Sequence, residues 1–131
     1  MTSDARPAAL STTKAQGDEA ERRALAHLVA HGLVPVERNY RVARGPRARG
    51  GEVDLILRDA DGTLVFVEVR ARRDAGHGGA AASVGVVKQR RLIFAAQHFL
   101  RRFAALPPCR FDVVSVEGER IEWLRAAFDA S

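Results

Sequence analysis

The chain has a single cysteine, Cys109, in 131 residues. That excludes an internal disulfide framework and a cysteine-based zinc knuckle, and it suits a reducing compartment. No apolar run approaches the length of a membrane span. The N-terminus lacks the apolar core of a secretory signal. A cytoplasmic protein with no membrane partner is expected. No internal repeat is visible, which excludes a solenoid or propeller.

What is present favours a folded, basic protein. Hydrophobic residues make up 47% of the chain, enough for a modest core in one domain of this length. Residues 1–14 mix Ser, Thr, Pro and Ala without period and read as a disordered tail, leaving residues 15–131 as the single domain. The net charge of +5 favours a polyanionic partner, although plain solubility also explains it.

Two acids stand in otherwise apolar runs. Asp54 lies in Gly51-Glu52-Val53-Asp54-Leu55-Ile56-Leu57-Arg58, and Glu68 lies in Leu64-Val65-Phe66-Val67-Glu68-Val69-Arg70. Both runs read as interior strands. Between them, Asp59-Ala60-Asp61-Gly62 signals a hairpin. A three-residue loop, Ala60-Asp61-Gly62, uses Gly at the left-handed position of a G1 bulge. It pairs Asp59 with Thr63, Ile56 with Phe66 and Asp54 with Glu68. A two-residue loop would send the two acids to opposite faces. Directly opposed residues have Cβ atoms roughly 4.5–5.5 Å apart, so two opposed carboxylates need compensation. A divalent cation such as Mg²⁺ or Mn²⁺ supplies it. Relief by Arg58 or Arg70, or protonation of one acid, is the competing reading.

Elsewhere the pattern is helical over Gln16–His31, closed by Gly32. Glu21 falls near the middle of that helix's apolar stripe, where it either meets a partner or sits at the open first turn. A first strand spans Leu33–Val42. The basic loop Ala43–Gly51 carries Arg44, Arg47 and Arg49, as a phosphate-contacting arm or a solvated connection. A second helix runs from near Val86 to Phe103, its apolar face headed by Gln89. That glutamine either serves a site or bonds the backbone near the helix start. Strands follow over Arg110–Val116 and Ile121–Arg125. The order α-β-β-β-α-β-β predicts a mixed central sheet flanked by helices, with the strands before and after the second helix parallel.

The motifs together carry a resemblance. They are Gly17 followed by Glu21-Arg22-Arg23-Ala24; Glu37-Arg38-Asn39-Tyr40; Gly51-Glu52-Val53-Asp54-Leu55-Ile56; Val65-Phe66-Val67-Glu68-Val69-Arg70; Lys88-Gln89-Arg90-Arg91-Leu92; and Arg110-Phe111-Asp112-Val113-Val114. The chain resembles the YraN-like family of small bacterial proteins of uncharacterised function over about Gly17 to Phe128. That family is similar to the restriction-endonuclease-like PD-(D/E)xK superfamily, near the Holliday-junction resolvases. The resemblance implies an α/β, restriction-endonuclease-like three-layer fold. It makes Asp54 and Glu68 the metal carboxylates, with the Val69 carbonyl as a third ligand. Glu21 becomes the helix-borne acid that orients a metal water, and Gln89 the helix glutamine of the resolvase branch.

Two departures stand out. Arg70 occupies the superfamily's lysine position, and Arg cannot readily deprotonate to act as a base. Val53 replaces the proline before the first acid. The expected function is metal-dependent phosphodiester hydrolysis on structured or branched DNA, with Glu21, Asp54, Glu68, Arg70 and Gln89 as the catalytic set. Arg44, Arg47, Arg49, Arg72, Lys88 and Arg91 are the expected nucleic-acid contacts. Analogy with resolvases adds a homodimer. The alternative is a non-catalytic nucleic-acid-binding module on a nuclease fold, with Arg70 as the mark of decay. An interaction protein within a larger complex is a third reading.

Overall fold

Alternation along the two central apolar runs decides the architecture. Leu64 and Phe66 pack with one helix, while Val65 and Val67 pack with the other. Successive strand residues face opposite sides of a sheet, so the helices lie on opposite faces. The computed structural model describes residues 13–46, 50–71 and 84–130. Its elements are α1 (Thr13–Ala30), β1 (Val34–Val42), β2 (Gly51–Arg58), β3 (Leu64–Ala71), α2 (Val86–Leu100), β4 (Cys109–Glu117) and β5 (Arg120–Phe128). This is the order α-β-β-β-α-β-β, in three layers.

The sheet runs β1-β2-β3-β4-β5. Strands β3 and β4 are parallel and joined through α2, while every other neighbouring pair is antiparallel. The buried face toward α2 holds Ile56, Phe66, Leu92, Ala96, Phe99 and Val113. The face toward α1 holds Ala24, Leu28, Leu55, Leu57, Val65 and Val114.

Hairpin β2–β3 has the three-residue loop. Asp59 N–H donates to the Thr63 carbonyl at 2.9 Å, and Gly62 sits at φ +90°. Arg58 pairs with Leu64, Ile56 with Phe66 and Leu55 with Val67. The ladder ends at Leu55–Val67; Asp54 and Glu68 are the next residues on the two strands, and their carboxyl groups are in hydrogen-bond contact.

Boundaries moved where local bonds outweigh pattern. Helix α1 starts at Thr13, so Thr13 and Lys14 belong to it rather than to a tail. The Lys14–Asp18 ion pair at 2.9 Å supports that extra turn. The rest of the expected tail, residues 1–12, lies outside the described residues. Helix α2 ends at Leu100 instead of Phe103. Arg101, Arg102 and Phe103 each donate to the carbonyl three residues back, which tightens the chain out of the α-helix. Strand β5 reaches Phe128, because a register shift between Phe111 and Val113 lets Phe128 pair with Phe111 and stack on its ring.

Asp112 anchors that shift. Its carboxylate is fully buried and accepts from Arg110 Nε at 3.0 Å, Trp123 Nε1 at 2.9 Å and the Ala126 N–H at 2.9 Å. Ala126 takes a left-handed φ of +50°, uncommon for a residue with a Cβ, and so aims its N–H at Asp112. Arg110 also reaches Asp59 at the hairpin, 3.0 Å away.

Gly51 fixes how close α2 comes to β2. A Cβ there would lie 2.2 Å from the Arg91 carbonyl oxygen and 3.0 Å from the Ala95 nitrogen. Gly51→Ala is therefore expected to push α2 off the strand and to cost about 1–3 kcal/mol in urea denaturation, the range for an overpacked contact. An unchanged unfolding midpoint would show that the helix can shift freely.

Candidate active site

The site is built on one row across the sheet. Asn39 falls between the Arg38–Leu55 and Tyr40–Val53 pairs, across β2 from Asp54, and Glu68 continues the row on β3. Both helices reach this row. Glu21 comes from α1 and feels the charge of Asp54, while Lys88 comes from the first turn of α2.

Glu68 is 2% exposed. Its Oε2 lies 3.5 Å from Arg70 Nη1 and 3.5 Å from Lys88 Nζ. Its Oε1 is buried with no hydrogen-bond donor. Burial, and then the neighbouring Asp54 charge, push the Glu68 carboxyl up to about 8, against the pull of Lys88 and Arg70. Asp54 is also raised by burial, but the Val69 N–H, donating to Oδ2 at 2.8 Å, supports its charge. The pair titrates as a unit. With one proton between them, Asp54 is the anion and Glu68 the donor to it. With both ionised, Glu68 Oε1 is left without a partner.

Arg58 does not relieve the pair, because its guanidinium turns to the Gly62 carbonyl at 3.2 Å. Arg70 does lie against Glu68, as the sequence allows. Glu21 is half-buried, its carboxyl raised first by burial and then by Asp54 and Asp18, and held down by a hydrogen bond with the Asn39 side chain. Asn39 takes a left-handed φ of +52° within β1. Gln89 is engaged at the helix start, its Nε2 donating to the Val84 carbonyl at 3.0 Å. Arg44 and Arg91 line a cavity between the start of α2 and the segment leading into β2. Arg47, Arg49 and Arg72 lie outside the described residues.

Three residues were not read as part of this site. Lys88, expected among the nucleic-acid contacts, also bridges Glu68 and Glu52, lying 3.8 Å from Glu52 Oε2. Lys14 and Lys88 are the only lysines among 21 basic residues, and that scarcity was a signal. Glu52 stands two residues before Asp54, a period-two spacing that places both on one face. Asn39 gave no signal beyond its place in a motif.

A metal fits this donor set in a restricted way. Among the described residues no three His, Cys, Asp or Glu side chains form a metal-holding group. Two carboxylates with water completing the shell are a donor set that Mg²⁺ or Mn²⁺ would accept, and Glu68 Oε1, which no N–H donor satisfies, is compatible with it. A zinc site of four protein ligands does not fit.

A carboxyl raised in the folded state destabilises the fold once ionised. The Glu68 contribution is intact below its ordinary value of 4.5 and is lost as pH rises through about 8. Metal-free protein is therefore expected to lose up to a few kcal/mol of stability between about pH 4.5 and pH 8, with little further loss from this group above that. Glu68→Gln should flatten the curve. Parallel wild-type and variant melting profiles over that range would count against the buried pair.

The fold and this site define a three-layer α/β protein with a carboxylate pair on adjacent central strands, Glu68 buried and Asp54 half-buried. The model described as "Uncharacterised protein family UPF0102" matches residues 20–116, and the chain belongs to that family, the YraN-like one. A UPF0102 protein of Methylibium petroleiphilum is 70% identical over 120 residues, spanning 92% of this chain and 98% of the relative. One from Acidovorax sp. is 62% identical over 120 residues (92% and 89%). One from Cupriavidus taiwanensis is 58% identical over 117 residues (89% and 85%). Among the described residues no helix is long and apolar enough to cross a membrane.

Proposed function

We propose that this protein is a Mg²⁺- or Mn²⁺-dependent nuclease that hydrolyses phosphodiester bonds in structured or branched DNA. The observation that carries the reading is the Asp54–Glu68 pair, two carboxyl groups in hydrogen-bond contact on adjacent central strands, Glu68 buried and Asp54 half-buried, each raised by burial. Asp54 and Glu68 would hold the cation, with the Val69 carbonyl at the same strand end. When bound, the metal would polarise a phosphoryl oxygen and lower the pKa of water.

The chain's own groups supply the rest. Glu21, oriented by Asn39, accepts a hydrogen bond from the attacking water and aligns it. Arg70, over a third exposed, is free on its outer side to grip the non-bridging oxygens of the scissile phosphate. Lys88 adds a second fixed cation that stabilises charge growing on the phosphoryl group. Lys88 thus occupies from a helix the place that Arg70 leaves open on the strand. Gln89 sets the start of α2 and so the position of Lys88.

Lys88→Ala is expected to lower cleavage of forked or four-way DNA by about a hundredfold, as for loss of one preorganised transition-state donor. Wild-type rates in that variant would remove Lys88 from the chemistry. A second reading follows from the same cations. Arg70 and Lys88 already lie against Glu68, so the site is partly neutralised without metal, as a binding-only module requires. Under that reading the wild type does not cut with either metal, and activity emerges only in Arg70→Lys.

A further inference from the structure

Three arginines with no carboxylate partner among the described residues converge beside the site. Arg44, Arg90 and Arg91, with Gly50, Val87 and Phe94, line a cavity of about 160 Å³. The Arg44 guanidinium lies 5.0 Å over the Phe94 ring, which holds it at the mouth. Arg91 is half-buried, and its Nε has no hydrogen-bond partner. Buried N–H donors are nearly always satisfied, so this one points to an absent acceptor.

The groove between α1 and β1 offers a contrast. Two of its three cations, Lys14 and Arg22, are matched by Asp18 and Glu19 at 2.9 and 2.6 Å, and the third, Arg38, lies near the Glu21 charge. The cavity beside α2 keeps its positive charge uncompensated. Its position is tied to that of the carboxylates by short stretches of chain and one close contact. Val87 precedes Lys88, Gly50 lies two residues before Glu52, and Gly51 lets the Arg91 carbonyl sit against β2.

The geometry points to a phosphate-binding subsite for a nucleic-acid strand whose neighbouring backbone passes Lys88 and Arg70. Guanidinium forks match phosphate oxygens, and the apolar wall of Val87 and Phe94 suits the adjoining sugar. The volume takes a phosphate group and its ester linkage rather than a whole nucleotide. The strand's identity as substrate rests on the nuclease reading, but the subsite is tested by binding alone.

The test is binding of fluorescent forked DNA across a salt series, with folding checked by circular dichroism. Arg44→Gln/Arg90→Gln removes two exposed cations without touching the core. It is expected to weaken binding about tenfold or more and to reduce the log–log salt slope by about two, whereas Arg120→Gln on β5 changes neither. Arg91→Gln, if folded, should weaken binding similarly. Affinity within twofold of wild type and an unchanged slope for the double variant would overturn the subsite. Arms ending in 5′-phosphate or 5′-hydroxyl place the subsite at a strand end if the phosphate tightens binding, and along the strand if it does not; either supports the assignment. Saturation by millimolar inorganic phosphate that leaves DNA affinity untouched would make it a free-anion site and overturn the strand assignment. Asp54→Asn should bind DNA as wild type does. Wild-type protein that binds through these arginines yet never cuts would sink the nuclease reading alone.

Discussion

Asp54→Asn and Glu68→Gln are each expected to lower Mg²⁺-supported cleavage of branched DNA by about a thousandfold or more. Loss of one carboxylate from a two-carboxylate site removes several kcal/mol of metal-dependent stabilisation, and each 1.4 kcal/mol is a factor of ten in rate. The two variants should differ in other respects. Asp54 has its charge supported by the Val69 N–H, so Asp54→Asn puts an amide where that donor expects an anion. Glu68 is the acid whose ionisation burial opposes, and Glu68→Gln removes that opposition. Glu68→Gln protein should therefore be inactive and yet more stable than wild type at alkaline pH. DNA binding should survive in both variants, because the contacts assigned to phosphate lie on Arg70, Lys88 and the α2 arginines. Retained cleavage by either variant in a preparation free of contaminating nuclease would contradict the assignment.

Asp112→Ala is expected to cost about 3–5 kcal/mol, the range for breaking a buried charged pair by removing one partner. The carboxylate satisfies Arg110, the indole N–H of Trp123 and the backbone of Ala126 at once. Truncation leaves three donors without their acceptor in a site with no exposure. It also removes the reason for Ala126 to hold its left-handed backbone. Urea unfolding with intact protein should show a lowered midpoint, and Asp112→Asn should fall between the two. The metal affinity of whatever folded protein remains should match wild type, because Asp112 serves β4 and β5 rather than the carboxylate pair. A midpoint near wild type would mean that the network is ornamental.

The hairpin was the legible part of this molecule. Gly62 selects the loop, the loop selects the register, and the register carries residues 54 and 68 to neighbouring places just past the Leu55–Val67 pair. The parallel β3–β4 pair followed from a helix lying between two strands. Glu21 was legible as an acid on an apolar stripe, and it does reach toward Asp54. The placement of Lys88 was not legible. Its pairing with Glu68 depends on where α2 sits over the sheet, which the close contact at Gly51 fixes between segments distant in sequence. Of the two left-handed residues, Asn39 is of a type that visits that region readily, whereas Ala126 was hidden, since no local preference announces it and Asp112, distant in sequence, holds its N–H. The helix ends slipped because single ion pairs and three-residue turns decide them, and periodicity does not register either.

Amide resonances of the metal-free protein should be followed during titration with Mg²⁺ and then Mn²⁺, in wild type and in Glu68→Gln. A cation seated on the strand pair should shift residues 54, 68 and 69 first in saturable fashion, and Mn²⁺ should broaden those same signals, with both effects lost in the variant. Uniform weak shifts spread over the surface acids, identical in the two proteins, would show that the buried carboxylates hold a proton and not a metal.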